Sequence, residues 1–261
     1  MFTISDPRIY DRASARYWPF LGERTVERLC LPSGASVLDV PCGPGSSVLP
    51  AARAVGQEGR VIAVDLSGEM VGLARANAAR NGLRNIEFAV ADMRRLEFPD
   101  DSFDAVICVL GIFFVEDMVA QARELWRLVK PGGKLAVTNF DHDFFSPVYA
   151  IWREAVQKEL ALDKLVGPWD RANHPDVLRG ILEEAGATDI EIECETRDVP
   201  MPAPEEWWDV VMGTGMRKWI MELDGEAVAR VREGNLRWIR EHGVGALTMG
   251  CIYASARKPT C

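Results

Sequence analysis

Histidine is scarce in this chain. Only His142, His174 and His242 occur among 261 residues, and they are scattered, so no HExxH-type metal pair is present and no resident metal is expected. The six cysteines (Cys30, Cys42, Cys108, Cys194, Cys251 and Cys261) form no CxxC and no regular spacing. Buried, reduced thiols of a cytoplasmic protein account for them better than a disulfide framework or a zinc site. GxxxxGK[ST] is absent, which excludes the usual phosphate-binding loop. The longest apolar run, residues 105–115, is too short to span a bilayer, and Met1 to Asp11 lack the apolar stretch of a secretory leader. Positive charge is also in deficit: 30 lysines and arginines face 39 acids, for a net charge of −9. A nucleic-acid backbone or an anionic membrane surface needs the opposite balance. The expected partner is therefore a small molecule, with no nucleic acid and no membrane insertion; a homodimer is left open.

What is present points to a nucleoside. Residues 37–45 read Val-Leu-Asp-Val-Pro-Cys-Gly-Pro-Gly: a short apolar run closed by Asp39, then two glycines. A second apolar run, Val61 to Val64, is closed by Asp65. Strand, glycine-rich turn, helix, strand and acid is the order in which open α/β sheets build ligand crevices at the carboxyl ends of their strands. Gly43 and Gly45, without side chains, let backbone approach a ligand closely. Asp65 is placed to accept hydrogen bonds from a ribose.

The pattern continues. Strands are expected at 36–40, 60–65, 86–91, 103–110 and 134–140, rich in Val, Ile, Ala and Leu, with helices between them. Such near-continuous apolar strands belong to a mostly parallel sheet buried on both faces. After residue 141 the rhythm changes: helices at 146–161, 174–186, 204–221 and 225–241, and strands at 188–196 and 246–257. The expected fold is α/β, a doubly wound, mostly parallel seven-stranded sheet of Rossmann-like kind with a helical cap inserted near the C-terminal strands. Its parts are an N-terminal helical arm (1–20), a cofactor-binding core (21–140), and residues 141–261 with the remaining strands and the cap at about 200–245. Ser46 or Ser47 is expected to cap the first crossover helix, and Arg94-Arg95 to lie in a solvated loop.

Two cofactors compete for the crevice. A dinucleotide fingerprint requires a third glycine where this chain has Val48, and that glycine permits close packing of helix on strand. A third acid, Asp92, follows strand 3 and would share the sheet edge with Asp39 and Asp65. One carboxylate would hold a ribose, another would face an adenine amino group, and Asp39 would sit near an ammonium. A phosphate-free, cationic nucleoside suits such an edge, and pyrophosphate does not; S-adenosylmethionine is such a ligand.

At Val37-Leu38-Asp39, Cys42 to Gly45, Val64-Asp65 with Met70, Ala91-Asp92, Phe98-Pro99-Asp100 and Arg127 to Gly133, the chain resembles the class I S-adenosylmethionine-dependent methyltransferases. The likeness is to the small-molecule type that includes the ubiquinone/menaquinone-biosynthesis C-methyltransferases, and it covers roughly residues 10–140. It implies that Gly43 and Gly45 surround the methionine moiety, Asp65 the ribose and Asp92 the adenine, with Leu66, Met70 and Met93 against the adenine faces and Val109 beside them. The family usually has glycine at Pro41. The expected activity is methyl transfer to O, N or C of a small, largely apolar or aromatic molecule, with S-adenosylhomocysteine as product. The alternatives are a NAD-type oxidoreductase and a non-catalytic cofactor-binding protein. Asn-Pro-Pro-Tyr is absent, which argues against acceptors such as the adenine amino group or the glutamine amide.

Around this core, Tyr10 and Tyr17 are expected to close over the cofactor or to staple the arm to the sheet. Phe113 and Phe114 follow strand 4 at the crevice and would line an acceptor pocket, joined by Trp208 and Met212 from the tryptophan-rich cap. His142, between Asp141 and Asp143 after strand 5, is the candidate general base.

Overall fold

Alternate residues of each strand feed two different cores. The computed structural model describes residues 15–260. Its seven strands are β1 (Ser36–Asp39), β2 (Arg60–Asp65), β3 (Ile86–Val90), β4 (Phe103–Val109), β5 (Val129–Phe140), β6 (Ile190–Pro200) and β7 (Ala246–Arg257). They form one sheet in the order β3-β2-β1-β4-β5-β7-β6. β1 to β5 pair in parallel, and β7 runs antiparallel to both its neighbours. Val37, Ala63 and Ile107 face the core under α1 (Trp18–Leu29) and α2 (Val48–Val55). Leu38, Ile62 and Val106 face the core under α4 (Met118–Arg127) and α6 (Pro175–Glu184). The period of two sends neighbouring side chains to opposite faces, so both faces of the central strands are dry, while the edge strand β6 is largely exposed.

The remaining helices are α3 (Gly68–Arg80), α5 (Val148–Glu159), α7 (Glu205–Gly213), α8 (Arg217–Ile220) and α9 (Gly225–Glu241). Ser67, Asp117 and Asp224 accept from Met70, Ala120 and Ala227 amides and so start α3, α4 and α9. The single helix expected over 204–221 is instead broken: Thr214 is extended, at φ −123° and ψ −173°, between the poor helix formers Gly213 and Gly215. α1 begins at Trp18, because Pro19 sits in its first turn, where a missing N–H costs nothing. β5 starts at Val129 rather than 134, since Pro131-Gly132-Gly133 passes as an irregularity in the pairing with β4 instead of ending it. Ser47 makes no capping bond.

The sheet ends at β6, whose Glu191, Glu193 and Glu195 fall at alternate positions. Arg28 of α1 donates to Glu193 and Glu195, each at 2.9 Å, and Arg24 donates to Glu195 at 3.0 Å.

Candidate functional site

The strand order reverses between β1 and β4, which opens a crevice at their carboxyl ends. There the chain after Asp39 bends through Pro41 to Gly45. Val40 N–H donates to Ile107 O at 2.9 Å, and Cys42 N–H donates to Val64 O at 2.8 Å. The ladder therefore reaches past β1 to both neighbours, and Pro41, with no N–H, falls between these two bonds. Gly43 has φ +49° with open space where a Cβ would stand. Gly45, at φ +106°, is packed on Leu49 and on Ala74 of α3.

Asp65 ties the loop to the second strand. Its Oδ2 accepts from Gly43 N–H and its Oδ1 from Ser67 N–H, each at 2.9 Å. Burial pushes its pKa above the ordinary carboxylate value, and the amide bonds from Ser67 and Gly43 oppose that rise. Asp39 is fully buried, and neither of its oxygens has a partner in hydrogen-bonding geometry among the described residues. Desolvation pushes it up to about 7; the nearby Ser47 hydroxyl lowers it, and the negative charge of Asp65 adds to the rise.

Asp92, just past β3, stands beside Asp65, since Ala91 N–H donates to Asp65 O at 3.1 Å. Its carboxylate is clasped by Arg94: Nε reaches both oxygens at 3.0 Å, Nη2 reaches Oδ2 at 2.5 Å, and the Arg94 amide donates to Oδ1 at 2.9 Å. That guanidinium holds the Asp92 carboxyl below its usual range. Arg94, expected as a solvated loop residue, is solvent-exposed yet engaged with this acid.

The apolar residues separate into covered and uncovered. Met70 is buried, Val109 nearly so, and Met93 is half-buried with its carbonyl accepting from Gln121 Nε2 at 2.8 Å. Leu66 is 49% exposed. Phe113 is buried and Phe114 exposed, with ring centroids 4.7 Å apart. Tyr17 is buried edge-on to Phe145, centroids 5.1 Å apart, and burial drives its hydroxyl up to about 12. Tyr10 lies outside the described residues.

Aromatic contact runs from the crevice into the cap. Phe113 meets Phe140 at the end of β5 at 6.1 Å, and Phe140 meets Phe144 at 3.8 Å. Phe144 then meets Tyr149 at 5.9 Å, and Tyr149 meets Trp152 of α5 at 5.7 Å. Trp152 and Trp169 both meet Trp219 of α8, at 6.1 and 5.6 Å. Trp208 and Met212 of α7 are half-buried and pack against the same core.

His142 follows β5 on the same edge. Its Nδ1 lies 2.5 Å from Asp141 Oδ1 and its Nε2 3.6 Å from Asp143 Oδ2. The donor atoms of these three residues all lie within 4.8 Å of one another, His142 and Asp143 being exposed.

Several contacts here carry no signal in the sequence. Gly111 is one: a Cβ there would strike Pro41. Leu110 is another, held at φ +53° with its N–H on Thr138 O at 2.9 Å. Left-handed backbone at a branched residue is strained and concentrates at functional crevices.

Residues 37–133 match a family described as methyltransferase domain. Over 130 residues the chain is 35% identical to aklanonic acid methyltransferase DauC of Streptomyces sp. (strain C5), covering 50% of this chain and 59% of that protein. Over 176 residues it is 31% identical to the ubiquinone/menaquinone biosynthesis C-methyltransferase UbiE of Marinomonas sp. (strain MWYL1), covering 62% of this chain and 70% of that protein. Against several demethylmenaquinone methyltransferases the match spans about half of the relative's length. Among solved structures, a SAM-dependent methyltransferase from Aquifex aeolicus has the same fold, with TM-score 0.58 at 20% identity over 97% of this chain and 98% of the other.

Proposed function

Since the chain belongs to the class I S-adenosylmethionine-dependent methyltransferases, with UbiE among its relatives, we propose that it methylates O, N or C of a small, largely apolar or aromatic molecule. One observation carries the reading: Asp65 and Asp39 stand together at the switch point of the sheet, under an open glycine turn. The residues fit the cofactor. Asp39 is a buried carboxyl with no partner in hydrogen-bonding geometry among the described residues and only the Ser47 hydroxyl nearby, so an ammonium would satisfy it. Gly43 leaves space for close approach, and the exposed Leu66 offers an apolar surface for adenine to cover. Asp65, held by two backbone amides, keeps lone pairs for ribose hydroxyls. Met70 and Met93 would flank the base, Asp92 its amino group, and Val109 and Gly45 the walls.

When bound, the cofactor supplies an electrophilic methyl group on a cationic sulfur. The protein's part is to orient the acceptor and keep water out. Phe113 and Phe114 stand at the carboxyl end of β4, with Trp208 and Met212 on the cap. For a hydroxyl or acidic-carbon acceptor, Asp141 orients the His142 ring through Nδ1, and Nε2 takes the proton. Phosphate-backbone partners do not suit a net charge of −9. No helix of the described residues is long and apolar enough to cross a membrane. Five unpaired thiols among those residues fit a cytoplasmic location.

The deciding experiment incubates the purified protein with methyl-labelled cofactor and a cell extract and identifies the labelled product. Calorimetry with S-adenosylhomocysteine and, separately, NAD distinguishes the cofactors: heat with the first and none with the second is expected. The reverse result ends the proposal.

A further inference from the structure

Helix α4 holds the stretch that leads away from β3. Residues 93–98 belong to no helix or strand, and their backbone–backbone bonding among the described residues is limited to Arg95 N–H on Asp92 O at 3.0 Å. Side chains from α4 take further backbone groups. Gln121 Nε2 donates to Met93 O at 2.8 Å, and Leu96 N–H donates to Glu124 Oε1 at 3.0 Å. Arg127 donates to Leu96 O and to Phe98 O, each at 2.7 Å. A spacing of three puts Gln121, Glu124 and Arg127 on one face of the helix.

Gln121 differs from the other two in depth and in what lies beyond its bond. Its side chain is 3% exposed, and Oε1 has no partner among the described residues. A buried amide with an unmet oxygen costs stability that an apolar side chain of the same size would not. What the amide does is engage one peptide. The Met93–Arg94 peptide is trans, so its C=O and N–H point in opposite directions. The carbonyl end receives Gln121 Nε2, and the N–H end donates to Asp92 Oδ1 at 2.9 Å. Side-chain amide, peptide plane and carboxylate thus form one line of bonds from the interior to the edge of the crevice. The Arg94 guanidinium also grips Asp92, but that pair is exposed, and an exposed ion pair contributes little.

We propose that Gln121 is a positioning residue for the cofactor: through the Met93–Arg94 peptide it orients the Asp92 carboxylate toward the adenine amino group. The action on the base is indirect. It rests on the reading that Asp92 meets adenine, and it puts a determinant of base specificity on the buried face of α4.

Two ligands isolate this role: S-adenosylhomocysteine, and S-inosylhomocysteine, in which an oxo group replaces the adenine amino group and leaves Asp92 no amino donor. Each is titrated into the full-length protein by calorimetry. The wild type is expected to prefer the first. Gln121→Met is close in volume but has no donor. It is expected to weaken S-adenosylhomocysteine about tenfold and to leave S-inosylhomocysteine within about twofold, so that the preference shrinks. Gln121→Asn keeps the amide but stops a methylene short of Met93 O. It is expected to behave alike, and it carries the comparison should Gln121→Met fail to fold by circular dichroism. Arg127→Met controls for loosening of the whole stretch: it removes the bonds to Leu96 and Phe98 and is expected to leave the ratio of the two affinities unchanged. Equal loss of both ligands in the Gln121 variants, or loss of neither, overturns the inference, because packing alone then accounts for Gln121. So does a ratio that shrinks as much in Arg127→Met. The underlying readings fail differently. A wild type that binds both ligands equally removes Asp92 from adenine, and one that binds neither defeats the cofactor assignment.

Discussion

A Cβ on Gly111 would come within 2.1 Å of Cδ of Pro41 and 2.9 Å of Cys108 Sγ. The proline ring thus occupies the space that any side chain at 111 would need, and the loops after β1 and β4 are fitted to each other across the crevice. Gly111→Ala is expected to destabilise by about 1–3 kcal/mol, the usual cost of overpacking. Pro41→Gly in the same chain removes the obstructing ring and should recover much of that loss. A double-mutant cycle by urea unfolding measures the coupling, and simple additivity would refute it.

Asp65 accepts two amide bonds that also shape the glycine turn. In Asp65→Asn one of those amides would face an NH2 group, donor against donor. Bonds to a charged acceptor contribute about 1.5–3 kcal/mol, so S-adenosylhomocysteine affinity should fall roughly tenfold to a hundredfold. Titration calorimetry reads it directly.

Asp39 links pH to stability. Its pKa rises from 3.8 in the unfolded chain to about 7 in the fold, so between those values the native state holds the extra proton. The contribution is fully present below the unfolded pKa and is lost as pH rises through about 7. Thermal unfolding without cofactor should show this decline, and Asp39→Asn should flatten it. A bound ammonium favours the carboxylate, so cofactor affinity should rise with pH over the same window and binding should release a proton. Calorimetry in buffers of different ionisation heat counts that proton.

In the proposed site, Arg94 would compete with adenine for Asp92. Its removal frees both oxygens of the carboxylate, so Arg94→Ala should tighten S-adenosylhomocysteine binding a few-fold, most visibly at low salt. Weaker binding in the variant would make Arg94 a positioning residue.

His142→Ala should lower kcat by about a hundredfold to ten-thousandfold, the span of general-base contributions, with little change in KM. Asp141→Asn should lower kcat less, through loss of ring orientation. Unchanged turnover in His142→Ala removes it from the chemistry.

The fold was legible where one residue's chemistry decided local structure. β2, α9 and β7 run over 60–65, 225–241 and 246–257, the ranges expected; β2 is an unbroken apolar run closed by Asp65, and in the structure the Asp224 carboxylate caps α9. Boundaries set by contacts distant in sequence were not legible. Ser47 looks like a helix cap, but its hydroxyl lies beside Asp39 on another element. Gly111 has no local signal, because its need for glycine comes from Pro41, seventy residues earlier. At the crevice, the acids and glycines were visible as a spaced pattern. The Arg94 clasp was not, since a turn of two arginines looks solvated until its partner is placed.

The clasp of α1 on β6 bears on assembly. A bare terminal strand invites a copy of itself to extend the sheet. Here such a neighbour, docking strand to strand, would meet Glu191, Glu193 and Glu195 with its own acids, while Arg24 and Arg28 are already engaged within the molecule. Self-association through a shared fourteen-stranded sheet is thereby opposed by repulsion, and a homodimer, where one forms, must use a different surface.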